Sequence, residues 1–226
     1  MVDKYRLTIE QNIFLAKKLM HESIYHGVKL EGSNITFPET QTILEGVNVP
    51  NATLDDIQAI LNLRDAWKYL LNNISAPFDL QFACNLNSFV ARNESIEWGV
   101  LRYGNVSIGG TNYRPDPPVS EDVERSLKQI LGKAANATEK AINIFLYSAR
   151  SQLFWDGNKR TGLLSANKLL ISEGKGILSI PAEQLLEFNR RLTRFYETND
   201  YSVIDLWMYD NCIKGIDFRR QNTIGY

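Results

Sequence analysis

The strongest constraint on the fold is a helical spacing of apolar residues that recurs along most of the chain. It is clearest over residues 53–74, where Thr53 and Asp56 form the pattern of a capping box and Pro77 ends the periodic stretch. One face of this stretch carries Ile57, Ile60, Leu61, Trp67, Leu70, Leu71 and Ile74. The spacing therefore predicts an amphipathic helix.

The same reasoning predicts helices along the rest of the chain. They fall at about 8–26, 36–45, 79–93, 119–132, 138–151, 160–173, 181–197 and 202–213. A chain of 226 residues that is 44% hydrophobic can fill a core of its own. Because no internal repeat or long linker interrupts the pattern, we predict a single, mainly α-helical domain over residues 1–226.

One segment breaks the helical pattern. The stretch "VLRYGNVSIGGTNYRPDPP", residues 100–118, places β-branched and aromatic residues around a Gly-Gly pair and ends in prolines that exclude a helix. It predicts a short β-hairpin at 100–114. The prolines at 115–118 are compatible with a linker, but a hairpin flap on one domain is the simpler interpretation.

Charge and cysteine content limit the classes of partner and compartment. The formal charge is −1 with interspersed signs, so the sequence offers no basic face for nucleic acid. Cys84 and Cys212 are too few for a disulfide scaffold and suit a reducing compartment, where we expect them to be small core residues. No signal-type segment and no uncharged run of about 18 residues is present, so we expect a cytoplasmic protein without a membrane span.

The stretch "QLFWDGNKRTG" is the candidate functional loop, placed between two predicted helices. Gly157 lets the backbone turn toward an anion at the start of the second helix. Asp156 can hold a hard cation such as Mg²⁺, Lys159 and Arg160 can neutralise phosphate oxygens, and Asn158 can fix the loop or donate to a phosphate. The residue types predict a phosphate site.

The spacing alone leaves a structural alternative open. "DGN" is also a common turn sequence, Asp156 can cap the following helix, and Lys159 and Arg160 can be solvated surface charges. A single short motif does not separate the two interpretations.

A longer match separates them. Phe154, Asp156, Gly157, Asn158, Lys159 and Arg160 follow in order the central Fic motif, His-x-Phe-x-Asp/Glu-Gly-Asn-Gly/Lys-Arg. "HGVKLEGSNITFPET" resembles the family's inhibitory segment, whose end Glu31 and Gly32 match, "YGNVSIGGTNY" resembles its flap, and residues 180–200 resemble its C-terminal helices. The chain thus resembles the Fic family over nearly its whole length.

The resemblance implies a helical Fic fold and transfer of AMP from ATP, or another nucleoside triphosphate, to a protein hydroxyl. It implies Mg²⁺ at Asp156, phosphate binding by residues 157–160, and a catalytic role for Phe154 and the residue at position 152. A target protein would dock on the flap as an added strand. The flap residues concerned are Tyr103, Ile108, Gly109, Gly110 and Tyr113. The oligomeric state, monomer or homodimer, stays open.

The chain departs from the family pattern at three positions. Gln152 stands in place of the catalytic histidine, and an amide cannot accept the hydroxyl proton, which removes about 10²–10⁴ of rate. Leu163 replaces a second arginine that would pair with the inhibitory glutamate, and Gly27 replaces a Ser or Thr, so we expect Glu31 to lack its usual partners. His26 and Glu31 are alternative bases.

Three functions therefore stay open. The first is an AMP transferase whose activity is weak or absent because its base is replaced. The second is a non-catalytic nucleotide-binding regulatory protein. The third is a phosphotransferase like the Doc branch of the family, which "GNKRTGLLSAN" partly resembles.

Overall fold

The computed structural model describes residues 1–132 and 136–217, and it confirms a mainly α-helical fold. The predicted domain of residues 1–226 extends beyond the described residues. The helices are α1 (Ile9–Lys18), α2 (Met20–Lys29), α3 (Phe37–Leu44), α4 (Leu54–Asn72), α5 (Leu80–Val90), α6 (Ser120–Gly132), α7 (Ala137–Ser151), α8 (Asn158–Ser172), α9 (Leu185–Thr198) and α10 (Asp205–Cys212).

Local capping fixes several helix starts. Thr53 caps α4, and its side chain and that of Asp56 form the reciprocal bonds that the sequence predicts. Several boundaries differ from the prediction, including the starts of α9 and α10. The helix predicted over 8–26 is two helices, α1 and α2, because the backbone leaves helical geometry at Leu19. Helix α8 begins at Asn158, two residues before the predicted start.

Helix α8 lies at the centre of the fold. It packs most extensively against α7 and also contacts α5 and α4. Its successive residues Leu163 and Leu164 enter two different core clusters, one built largely from α7, α9 and α10 and the other from α2, α4 and α5. The N-terminal end of α8, where the candidate loop joins it, is therefore held by a helix that is buried on nearly all sides.

The predicted hairpin at 100–114 is wrong in its secondary structure. Residues 100–118 are all described and contain no strand, although a turn lies at Gly109–Gly110. Among the described residues, strands occur only at β1 (Ile177–Leu178) and β2 (Ile213–Lys214), which pair antiparallel. Several carbonyls at the base of the flap bond to a buried arginine, Arg102, and not to an opposite strand.

The described helices include none that is both long and apolar enough to cross a membrane. The two cysteines differ in their environments. Cys212 is fully buried, as predicted, and Cys84 is half-buried. Burial raises the pKa of Cys84 to about 11 and that of Cys212 to about 12, so both thiols are neutral at physiological pH.

Candidate functional site

The candidate loop connects α7 to α8 through two left-handed residues. Gln152 ends α7 with φ 47°, and its N–H donates to the carbonyl of Ser148. Gly157 precedes α8 with φ 72°, and a Cβ at this position would lie 2.7 Å from Cγ1 of Val90. Both the backbone conformation and the close packing require glycine here.

Asn158 holds the loop closed from within. Its Oδ1 accepts the Phe154 N–H at 2.8 Å, and its Nδ2 donates to the Phe154 carbonyl at 2.8 Å and to Oε1 of Gln152 at 3.1 Å. Phe154 itself is 1% exposed and anchors the loop in the core. Two roles were predicted for Asn158, fixing the loop and donating to a phosphate. The observed bonds of its amide are those that fix the loop.

Gln152 is held by both ends of its side-chain amide. Nε2 donates to the carbonyl of Ala149 at 2.7 Å, while Oε1 accepts from Asn158. The main-chain carbonyl of Gln152 in turn accepts from Arg102. This residue is half-buried and lies beside the start of α8, at the position where the resemblance places the catalytic histidine.

The start of α8 has no side-chain cap. The Asp156 carboxylate accepts the N–H of Gly157, which precedes the helix, so the interpretation of Asp156 as a helix cap is wrong. The N–H groups in the first turn of α8, at the positive end of the helix dipole, therefore point at the loop. Asp156 has a side chain that is 47% exposed and lies 3.5 Å from Nη2 of Arg160.

Arg160 is a buried cation held by carboxylates. Its side chain is 3% exposed, with Nε 3.3 Å from Oε1 of Glu31 and Nη1 2.8 Å from Oε2 of Glu94. Burial works against the charge, but Glu31 and Glu94 outweigh it and raise the pKa of Arg160. The alternative of a solvated surface charge is wrong for this residue.

Glu31 follows α2 and bridges the two cations of the loop. Lys159 is 25% exposed, lies 3.1 Å from Oε2 of Glu31 and donates to the carbonyl of Leu30. Gly32 follows with φ 85°, a left-handed conformation that glycine adopts freely. The usual partners of Glu31 are absent, as the sequence indicates, but Lys159 and Arg160 supply two cations in their place.

The other departures lie in the core. Leu163 is 3% exposed within a core cluster, and a Cβ on Gly27 would lie 2.9 Å from Cδ1 of Leu63. His26 is 4% exposed, and its Nδ1 lies 2.8 Å from Oγ of Ser179. Burial, followed by the charge of Lys214, lowers the pKa of His26. His26 thus contacts core residues and not the loop, which removes it as the replacement base.

The flap residues divide into an exposed arm and a packed arm. Tyr103 is 72% exposed and meets Trp155 of the loop edge to face, with ring centroids 5.2 Å apart. Ile108 and Tyr113 are partly buried against the core, and the Tyr113 hydroxyl accepts from Nη1 of Arg150 at 2.9 Å. Gly109 and Gly110 form the turn between the arms, so of these flap residues Tyr103 reaches the loop.

Sequence reasoning missed three residues that support the site. Asn87 on α5 donates to the Asp156 carbonyl at 2.9 Å and accepts the Gly99 N–H at 2.8 Å. Glu94 contacts Arg160, and Arg102 joins the flap to the loop. Two of the three could have been found in the sequence as polar residues within an apolar pattern. Asn87 lies on the buried face of α5, and Arg102 lies in "VLRY".

Comparison with known proteins identifies relatives of this chain. Residues 77–170 match the family described as Fic/DOC. The "Protein adenylyltransferase Fic" of Drosophila melanogaster is 27% identical over 179 residues, which cover 74% of this chain and 36% of that protein. The protein of the same name in Drosophila persimilis is 26% identical over 176 residues, which cover 74% of this chain and 34% of that protein. The chain thus spans about a third of the length of these relatives.

Solved structures share the fold. Fic-1 (aa134–508) from C. elegans superposes with a TM-score of 0.77 at 18% identity, covering 87% of this chain and 61% of that chain. A Fic domain containing signaling protein from Bacteroides thetaiotaomicron gives a TM-score of 0.67 at 20% identity, covering 90% of this chain and 84% of that chain. The helical arrangement around α8 is therefore common to these proteins.

Proposed function

Because the chain is a Fic family protein, we propose that it binds ATP, or another nucleoside triphosphate, with Mg²⁺ at residues 152–163 and transfers AMP to a protein hydroxyl. With Gln152 in place of the general base, we expect this transfer to be weak or absent. One observation carries the proposal. The uncapped start of α8 lies beside Gln152 and is flanked by the two cations Lys159 and Arg160.

The loop offers three kinds of group to a triphosphate. The first-turn amides of α8 can donate to phosphate oxygens, and Gly157 allows the backbone to approach them closely. Lys159 is partly exposed and can leave Glu31 for a phosphate. Arg160 can do the same where the phosphate displaces Glu31 from Nε. The loop thus offers two cations, but both are already paired with carboxylates of the chain.

The residues present also fit a magnesium ion carried in with the nucleotide. Mg²⁺ needs one or two protein carboxylates when phosphates and water complete its shell. Asp156 supplies one carboxylate that is about half exposed at the mouth of the loop. The described residues contain no group of three or more His, Cys, Asp or Glu that would hold a metal without the nucleotide. Bound Mg²⁺ would neutralise charge on the phosphates.

The flap is the proposed docking site for the target protein. Residues 100–114 pair with no strand of the described chain, and we propose that their backbone pairs with a target chain as an added strand. Tyr103 projects into solvent next to Trp155, which puts an aromatic contact between the docked segment and the loop.

Gln152 determines what happens to the proton. In AMP transfer, the target oxygen bonds to the α-phosphorus, the bond to the β-phosphate breaks, and pyrophosphate leaves. The hydroxyl proton must go to a base, and a carboxamide has no pKa that allows it to accept one. Although the Gln152 amide is bonded to Ala149 and Asn158, Nε2 keeps a second N–H and Oε1 a second lone pair, so we assign it a contact with the hydroxyl and leave the proton to water.

A second function is favoured by the internal contacts of the site. Glu31 and Glu94 pair with Arg160, and Gln152 is bonded within the chain. These contacts would suit a protein that binds a nucleotide to regulate a partner and transfers no part of that nucleotide. Phosphoryl transfer of the Doc type is the remaining alternative. The position of the transferred label separates these functions.

Labelled ATP tests the chemistry. The protein and its Gln152→His variant are incubated with Mg²⁺, a cell lysate and either α-³²P-ATP or γ-³²P-ATP, and label on protein is read. Gln81→His, on the exposed start of α5, is the matched control. We expect α-label transfer by Gln152→His at least about 100-fold above the other two proteins. Transfer of γ-label would indicate phosphoryl transfer, and transfer by none of the proteins despite ATP binding would favour the regulatory function.

ATP binding is tested separately by calorimetry. Lys159→Gln should weaken ATP binding about tenfold or more, because it removes a charge-assisted hydrogen bond to phosphate. Lys128→Gln, whose side chain is 79% exposed on α6, should leave it unchanged. Equal affinities in the two variants, or no ATP binding by the protein itself, would refute the nucleotide site.

A further inference from the structure

Arg102 is a fully buried arginine surrounded by main-chain carbonyls. The residue is 1% exposed, and its guanidinium donates to five carbonyl oxygens, those of Gly104, Pro115, Asp116, Ser151 and Gln152. The contacts to Asp116 and Pro115 measure 2.8 and 3.1 Å, and that to Ser151 is longer at 3.5 Å. Nε and Nη1 each donate to one carbonyl, those of Gln152 and Gly104, and the two N–H groups of Nη2 are shared among the other three.

These carbonyls come from three separate segments. Gly104 lies on the first arm of the flap, Pro115 and Asp116 follow its second arm, and Ser151 and Gln152 form the end of α7. The end of a helix leaves carbonyls without partners and attracts a cation, while the prolines that follow the second arm cannot donate to a ladder. One side chain therefore provides the donors that a β-ladder would otherwise provide at the flap base.

The main chain of Arg102 joins the same contact. Its N–H donates to the carbonyl of Leu153 at 3.0 Å, so both its backbone and its side chain bond to the loop. The first arm of the flap also packs closely on the loop at Gly104. A Cβ on this residue would lie 2.6 Å from Cη2 of Trp155, so there is room only for glycine. The flap and Gln152 thus share one anchoring residue.

We propose that Arg102 is a positioning residue that fixes the flap relative to Gln152, and hence the docked target hydroxyl relative to the loop. The second half of this statement rests on the proposed function, whereas the first does not. A lysine cannot replace it, since an ammonium is a point charge with three donors and cannot reach carbonyls in three segments at once.

Tryptophan resonances provide the test, because the chain has four tryptophans and two of them report on different regions. The protein is labelled with 5-fluorotryptophan, and Trp155 and Trp67 are assigned with Trp→Phe variants. Trp155 contacts the flap, whereas Trp67 is buried in the core among α2, α4 and α5. We expect Arg102→Lys to shift or broaden the Trp155 resonance and leave that of Trp67 in place. Arg125→Lys, on the exposed face of α6, should move neither.

Hydrogen exchange gives a second, independent readout. In Arg102→Lys, the flap amide at position 102, which bonds to the Leu153 carbonyl, should exchange about tenfold faster or more, because the charge-assisted bonds that hold this segment are lost, while α4 and α8 exchange as before. An unchanged Trp155 resonance with unchanged flap exchange would overturn the proposal. Loss of the Trp67 resonance together with that of Trp155 would also overturn it, because Arg102 would then stabilise the whole chain and not position the flap.

ATP binding by the same variants separates this inference from the proposed function. If the unmodified protein binds no ATP, the nucleotide site is refuted, but the fluorine and exchange results still decide whether Arg102 holds the flap. Arg102 contacts the loop at Gln152 and Leu153 but does not contact Lys159, Arg160 or the start of α8, so Arg102→Lys should weaken ATP binding less than Lys159→Gln does.

Discussion

Two glutamates from distant parts of the chain hold Arg160, and their replacement by glutamine should destabilise the fold more than additively. Glu31 is 30% exposed with its Oε1 3.3 Å from Nε, so Glu31→Gln should cost about 0.5–1 kcal/mol. Glu94 is 17% exposed with its Oε2 2.8 Å from Nη1, so Glu94→Gln should cost about 1.5–3 kcal/mol. In each single variant, the other carboxylate still compensates the buried charge.

The double variant removes that compensation. Arg160 would keep only the Asp156 carboxylate, at 3.5 Å and about half exposed, and an uncompensated buried charge costs about 3–5 kcal/mol or more. The single losses sum to about 2–4 kcal/mol, so the free energy of unfolding of the double variant should fall by about 1 kcal/mol more than that sum.

Urea unfolding followed by circular dichroism measures this cycle at neutral pH and constant salt. Asp122→Asn, which breaks an ion pair exposed on α6, is the control and should change the free energy of unfolding by less than about 0.5 kcal/mol. The slope against urea should stay constant, so that midpoints compare directly. Losses that add to within about 0.5 kcal/mol would refute the reasoning, since the two glutamates would then act independently on Arg160.

Three further predictions concern backbone strain, capping and thiol chemistry. Gly157→Ala should lower the free energy of unfolding by about 1–3 kcal/mol, since its φ is 72°, whereas Gly132→Ala on exposed helix should be neutral or stabilising; equal effects would contradict the strain argument. Thr53→Ala should lower the free energy of unfolding by about 1 kcal/mol in the same assay, whereas Thr53→Ser, which can still cap the helix, should lower it by much less. Iodoacetamide at pH 8 should modify Cys84 about 100-fold more slowly in the folded protein than in urea, because burial raises its pKa from 9.0 to about 11; similar rates would place the thiol in solvent.

Most of the helices could be predicted because their signals are local. The apolar face and the Thr53–Asp56 box of α4 lie within one stretch of sequence, and the structure reproduces both. The break at Leu19 between α1 and α2 could not be predicted, since no glycine or proline marks it. Strands β1 and β2 have two residues each, too few to show an alternating pattern.

The flap illustrates why propensity was insufficient. β-Branched residues around Gly109 and Gly110 favour a hairpin, but hairpin pairing requires free carbonyls on both arms. At the flap base, Arg102 bonds the carbonyls of Gly104 and Asp116, and this contact depends on α7 lying alongside. A partner supplied by another element is invisible to a pattern within one segment.

The cations that meet Glu31 could not be predicted for a related reason. Leucine at position 163 and glycine at position 27 show that the usual partners of Glu31 are absent, but they do not show which residues take their place. Because α8 is buried on nearly all sides, Leu163 belongs to a core cluster. The residues of α8 that lie near the end of α2 are those at the start of α8. Lys159 and Arg160 occupy that start and both contact Glu31. Hence, although leucine stands at position 163, Glu31 lies beside the candidate loop and is paired with the cations that the proposed triphosphate would need.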